Sequence, residues 1–184
     1  MNSDIVGDGS SGKDSLCHSV FGIQTNSKSA VAGSTDTIES YPLGSSGAVE
    51  LLNFPGFNDV RELVNNHVQE RLNHSDVFIF VVDINRGVSN TDVQILESLK
   101  QKCKPILVCL NKCDLPRPNE LDALKQTAYQ RLIQVDSIIE TILDPDPRLA
   151  SNPQGTKQVS EWVLKQIEVQ NKNTAGIIFN EKLF

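Results

Sequence analysis

Gly7-Asp-Gly-Ser-Ser-Gly-Lys13 sets two glycines and a lysine at a spacing that suits one chemistry. Glycines at both ends of such a loop let backbone N–H groups turn inward together, and the lysine brings a cation to the same point. That is a cradle for a chain of phosphates. Its candidate contacts are Gly7, Ser10, Ser11, Gly12 and Lys13. A second stretch, Asn111-Lys-Cys-Asp114, directly follows the apolar run Ile106-Leu-Val-Cys-Leu110. A carboxylate at Asp114 accepts two hydrogen bonds from the N1–H and exocyclic amine of guanine, a pattern adenine does not offer. In this order the two stretches predict a guanine-nucleotide site.

The residues between them carry departures from that pattern. A Ser or Thr hydroxyl is the expected Mg²⁺ ligand directly after the phosphate-loop lysine. This chain has Asp14, with Ser15 one step further round the helix; both count as candidate nucleotide contacts. Asp14 either ligates Mg²⁺, placing negative charge beside the β-phosphate, or caps the helix start. Asn53-Phe-Pro-Gly56 stands where an Asp-x-x-Gly would hold a metal-bound water and sense the γ-phosphate. Gly56 keeps the sensing N–H, while Asn53 keeps polarity without charge. Asp14 and Asn53 together read as one carboxylate gained and one lost. Phe57 takes the place of a water-positioning glutamine, and an aromatic ring cannot orient a nucleophilic water. Ala30-Val-Ala-Gly-Ser-Thr-Asp-Thr37 is a candidate switch loop, with Thr35 chosen over Thr37 as the threonine ordered by γ-phosphate and metal. The expected catalytic set is therefore Lys13, Thr35 and Gly56, and the expected metal set is Asp14, Thr35 and Asn53.

Short apolar runs alternate with helical patterns, the sign of β-α units feeding a mostly parallel sheet. Strands are expected at Ile5-Val6, Thr37–Leu43, Ala48–Leu52, Val77–Val82, Pro105–Leu110 and Ile138–Leu143. The second and third form a hairpin around Gly44-Ser-Ser-Gly47. Helices are expected at 14–21, 59–73, 91–102, 119–134 and 158–170. The first strand is the weak point. It belongs at the centre of the sheet, yet Met1-Asn-Ser-Asp4 is polar, so the strand is expected to be short, as if the chain began too late.

At 184 residues, 39% apolar and 22% charged, the chain suits one globular domain. A net charge of −6 argues against a broad nucleic-acid surface. No apolar run nears the roughly 20 residues needed to cross a bilayer, and the N-terminus lacks a secretory signal pattern. Cys17, Cys103, Cys109 and Cys113 show no Cys-x2-Cys pairing, which reads as reduced thiols in a cytoplasmic protein.

Gly33-Ser-Thr-Asp-Thr-Ile38, Asn53-Phe-Pro-Gly56, Val82-Asp-Ile-Asn-Arg-Gly-Val-Ser89 and Lys104-Pro-Ile-Leu-Val-Cys-Leu-Asn-Lys-Cys-Asp-Leu115 resemble the Era/TrmE/EngA-like branch of GTPases. The resemblance spans about Ile5 to Ile167. It implies an α/β, Ras-like P-loop fold: a mostly parallel six-stranded sheet with one antiparallel edge strand and helices on both faces. It also implies GTP/GDP and Mg²⁺ as cofactors and slow hydrolysis, since this branch also replaces the catalytic glutamine with a hydrophobic residue. Ser10 stands where some members carry a potassium-binding asparagine, so that mechanism is not expected here. Asn111 would tie the base loop to the phosphate loop and Lys112 would lie over the ring. Asp144-Pro-Asp-Pro147 occupies the place of the fifth guanine-binding element without its pattern. The nucleotide-binding domain is expected to span 1–171, with 172–184 a tail. The rival expectation is a pseudo-GTPase that binds nucleotide or a partner protein without effective hydrolysis. The effector is unspecified.

Overall fold

The computed structural model describes residues 1–25, 38–44, 47–57, 65–172, 176–177 and 179–180. Six strands, β1 (Asn2–Gly7), β2 (Glu39–Leu43), β3 (Val49–Asn53), β4 (Val77–Asp83), β5 (Ile106–Asn111) and β6 (Ser137–Glu140), form one sheet in the order β2-β3-β1-β4-β5-β6. The β2–β3 pair is antiparallel, and every other pair is parallel. β4 reads Val-Phe-Ile-Phe-Val-Val-Asp and is buried along its whole length, as a parallel strand covered on both faces should be.

The helices are α1 (Lys13–Phe21), α2 (Asn66–Asn73), α3 (Asn90–Lys100), α4 (Pro118–Arg131) and α5 (Thr156–Val169). Side-chain alternation along the strands divides the core in two. Leu16, Cys17 and Val20 of α1 and Val159, Val163 and Ile167 of α5 pack on Ile5, Ile79, Val81 and Leu107. Leu72 of α2, Ile95, Leu96 and Leu99 of α3 and Ala128 of α4 pack on Val6, Phe78, Phe80 and Val108. The chain thus leaves β1 toward one face and β3 toward the other. A crevice opens at the carboxyl ends of such strands, where an α/β sheet places its ligand.

The first strand is not short. Asn2–Gly7 pairs with β3 from Asn2↔Glu50 to Ile5↔Asn53 and with β4 from Ser3↔Val77 to Gly7↔Val81. Backbone pairing on both edges overrides the polar side chains, and Ser3 and Asp4 are both buried. That burial leaves Ser3 Oγ and Asp4 Oδ1 without hydrogen-bond partners. Of the expected 59–73 helix, residues 59–64 lie outside the described residues and Asn66–Asn73 is helical. The other expected elements appear within a few residues of their expected bounds. Among the described residues, no helix is long and apolar enough to cross a membrane.

Candidate functional site

The phosphate loop leaves β1 and enters α1 at Gly12, whose φ of 103° lies in the left-handed region. A Cβ there would come within 2.2 Å of Asn111 Nδ2, so both conformation and space require glycine. Lys13 is 7% exposed and folds back over the loop, where its Nζ donates to Asp8 O at 2.9 Å and Gly7 O at 3.3 Å. Burial pulls its ammonium down to about 8, against the raising influence of Asp14 and Asp8. Ser11 Oγ also donates to Asp8 O, at 2.9 Å. Ser10 is exposed and Ser15 half-buried.

Asp14 and Asn53 meet. Asn53 Nδ2 donates to Asp14 Oδ1 at 2.9 Å, and Glu39 Oε2 lies 3.4 Å from the same nitrogen. The structure gives the residue at the Gly12 N-cap no side-chain cap, and Asp14 sits in the first turn, where a carboxylate suits the helix dipole. Asn53 is 1% exposed, and its Oδ1 has no partner among the described residues. Glu39 was not singled out in the sequence. Its signal is positional: it is the β2 residue paired with Asn53, which only the strand register discloses. Among the described residues no three His, Cys, Asp or Glu side chains group as a metal site. The carboxylates of Asp14 and Glu39 nonetheless suit Mg²⁺, which takes one or two carboxylates and completes its shell with phosphate and water.

Gly56 lies against the phosphate loop, and a Cβ on it would fall 2.1 Å from Gly9 Cα. Phe57 donates its N–H to Gly7 O at 3.2 Å while its ring is fully buried beside Phe54, with centroids 6.4 Å apart. The ring therefore sits in the core, away from the crevice. Thr35 and Thr37 lie outside the described residues.

On the far side of the loop, Asn111 is 2% exposed and both ends of its amide are hydrogen-bonded. Its Nδ2 donates to Ser11 O at 2.9 Å, and its Oδ1 accepts from Leu143 N at 3.1 Å and Thr141 Oγ1 at 3.3 Å. Lys112 adopts φ 65°, and its Nζ donates to Ser10 O at 2.7 Å and Asp83 Oδ2 at 2.6 Å. Asp114 Oδ2 accepts from Asp146 N at 3.1 Å, so the Asp144–Pro147 loop does reach the Asp114 carboxylate. Sequence pattern gave no sign of that contact. Two further residues were missed. Asp83, at the end of β4, fixes Lys112. Arg86 bridges Asp8 Oδ2 at 2.8 Å and the buried Asp92 at 3.0 Å, joining the phosphate loop to the start of α3. Cys113 is half-buried with its thiol pushed up to about 11 by burial and Glu140, so it is a poor nucleophile.

A phosphate loop running from strand into helix, with Asn-Lys-x-Asp beside it at the sheet's carboxyl edge, defines the Ras-like class of P-loop nucleotide-binding domains. A family model described as a 50S ribosome-binding GTPase matches residues 4–112, more than half of the chain. The chain belongs to this GTPase family, in its Era/TrmE-like branch. It is 28% identical over 141 residues to the tRNA modification GTPase MnmE of Desulforamulus reducens, covering 74% of this chain and 29% of that protein. It is 32% identical over 76 residues to the GTPase Der of a Sulfurihydrogenibium species, covering 41% of this chain and 17% of that one. The chain thus spans under a third of the length of these relatives. The fold matches Era solved with MgGDPNP and 16S ribosomal RNA, with TM-score 0.69 at 19% identity over 90% of this chain and 56% of that one. It also matches a probable GTP-binding protein engB, with TM-score 0.67 at 15% identity over 92% of this chain and 99% of that one.

Proposed function

We propose that this chain is a guanine-nucleotide switch domain that binds GTP and GDP with Mg²⁺ and hydrolyses GTP slowly. The observation that carries the reading is the 2.9 Å hydrogen bond from Asn111 Nδ2 to Ser11 O, which fixes the base loop against the phosphate loop. In this reading Lys13 leaves its two loop carbonyls for the terminal phosphates, and the backbone of Gly7 to Gly12 wraps the phosphate chain. Asp114 reads the guanine edge and Asn111 holds the spacing. Asp14 and Asn53 would hold Mg²⁺, which would supply positive charge against the phosphates. Thr35 is the proposed switch threonine and Gly56 N–H the proposed γ-phosphate sensor. The effector is a separate protein of unspecified kind, and the chain's negative charge disfavours a broad nucleic-acid surface.

Titration of a fluorescent GDP analogue, with and without Mg²⁺ and with GTP and ATP as competitors, tests this. Metal-dependent binding displaced by GTP and not by ATP is expected, and equal displacement by ATP would refute the guanine reading. A second reading, a pseudo-GTPase, is favoured by the buried Phe57 ring and by the Asn53 amide engaged on Asp14. It requires tight GTP binding with no phosphate release, and turnover created by Asp14→Ser with Asn53→Asp.

A further inference from the structure

We infer that Glu39 is a cation-holding carboxylate of this site, supplying from the neighbouring strand the charge that Asn53 lacks. Glu39 and Asn53 are register partners on β2 and β3, so their side chains share a face of the hairpin. Glu39 Oε2 lies 3.4 Å and Asp14 Oδ1 2.9 Å from Asn53 Nδ2. Two carboxylates therefore converge on one neutral amide nitrogen. Tyr41 Oη donates to the same Glu39 oxygen at 2.9 Å and orients it.

The amide itself points to the ligand. Asn53 is 1% exposed, and among the described residues its Oδ1 has no donor, an uncommon state for a buried acceptor. The two carboxylates share the Asn53 N–H₂ group, and among the described residues the oxygen of that amide has no donor. A half-turn of the amide exchanges donor for acceptor, leaving an all-oxygen set of Asp14, Glu39 and Asn53. Hard divalent cations are bound by such sets, whereas a softer metal would call for His or Cys. The ligand class is thus a hard divalent cation, Mg²⁺ or Mn²⁺.

The inference deepens the nucleotide site proposed above, and it rests on that reading only for its use, not for its first test. With two carboxylates in place, the chain should hold a cation before any phosphate arrives. It should also resist metal-free nucleotide, because two carboxylates add negative charge beside the phosphates.

The experiment is a Mn²⁺ titration of the nucleotide-free chain followed by electron paramagnetic resonance. Parent chain, Glu39→Gln, Glu39→Asp and Glu50→Gln are compared, with a melting curve for each. Glu50 is a control carboxylate on the same hairpin, engaged by Ser40 Oγ. The parent should bind Mn²⁺, with Mg²⁺ competing. Glu39→Gln should weaken binding by roughly tenfold or more, the order expected for removing one full charge from a pair of partly buried ligands. Glu39→Asp should restore part of it, and Glu50→Gln should match the parent. Equal Mn²⁺ binding by parent and Glu39→Gln, or none by the parent, overturns the inference. If Glu39→Gln melts early, partial or full Mn²⁺ binding by Glu39→Asp supports the assignment and no binding by it opposes it. A nucleotide titration separates the two readings. Glu39→Gln should tighten metal-free GDP binding while reducing the gain that Mg²⁺ gives. A Glu39-dependent Mn²⁺ signal in a chain that binds no GDP would sink the proposed function and leave this site standing.

Discussion

Burial loosens the proton on Lys13. Its ammonium is buried among carbonyls and pulled to about 8 from the ordinary 10.5, so it binds a proton less tightly than a free lysine. Phosphate binding needs the charged form. Above about pH 8 the chain must therefore take up a proton as nucleotide binds, and affinity should fall by up to roughly tenfold per pH unit. Fluorescent-GDP dissociation constants measured from pH 7 to 9.5 check this, and a flat profile would show that Lys13 stays charged throughout. Asp114 offers a second residue-scale expectation. Asp114→Asn keeps the size of the side chain but replaces an acceptor oxygen with a donor facing the guanine N1–H. A loss of about 1.5–3 kcal/mol, roughly tenfold to a hundredfold in GDP affinity, is expected from charged hydrogen bonds of this kind. Competition titration reads it directly, and the melting temperature of the empty chain should barely move.

At the scale of elements, β1 shows where pattern and pairing part company. A polar Ser3-Asp4 argued against a central strand, yet two parallel neighbours claim its backbone and bury both side chains. Burial pushes the Asp4 carboxyl up to about 7, while Ser75 Oγ and Arg71 act downward and Asp76 and Glu50 upward. Ordinary aspartate ionises near 3.8. Between these values the unfolded chain releases a proton that the folded chain keeps, so stability should decline as pH rises from about 4 to 7 and level off above. The shift corresponds to a few kcal/mol at most, of order 2–4. Asp4→Asn should flatten this dependence. Urea melts of both chains at pH 5 and pH 8 check it, and a parent equally stable at both would show that Asp4 is ionised at no cost. The turn after β3 carries its own expectation. Gly56→Ala would press a methyl against Gly9, so the phosphate loop must shift. GDP affinity should fall at least about tenfold while the sheet, remote from that contact, keeps its far-ultraviolet signature.

For the whole molecule, the alternation of strands and helices was legible because β4 and β5 are almost wholly apolar and the helices keep their period, while the helix layers on both faces followed from the family resemblance. The phosphate and base loops were legible because their chemistry requires fixed residues at fixed spacings. Glu39, Asp83 and Arg86 were not, since each reaches the site through register or tertiary packing that no local pattern encodes. The full length of β1 was misread for the same reason. The tail is a further case. Ile177 and Phe179 pack on the α1–α5 side of the core, with Phe179 5.7 Å from Phe21. Asn180 donates its N–H to Val20 O at 3.0 Å and its Nδ2 to His18 O at 3.1 Å, serving carbonyls at the end of α1. These contacts make the end of the chain part of the fold's cover. Shortening the chain after Asn171 should expose Phe21, now 6% exposed, and remove about 2 kcal/mol of apolar burial. For a domain of this size that corresponds to a fall of roughly 4–8 °C in melting temperature. Nucleotide affinity should stay the same, because the phosphate loop lies at the opposite end of α1 from the tail. Calorimetry with and without GDP separates the two effects. A shortened chain that melts like the parent yet binds GDP more weakly would mean that α1 transmits the state of its far end to the phosphate loop, and that the tail belongs to the switch.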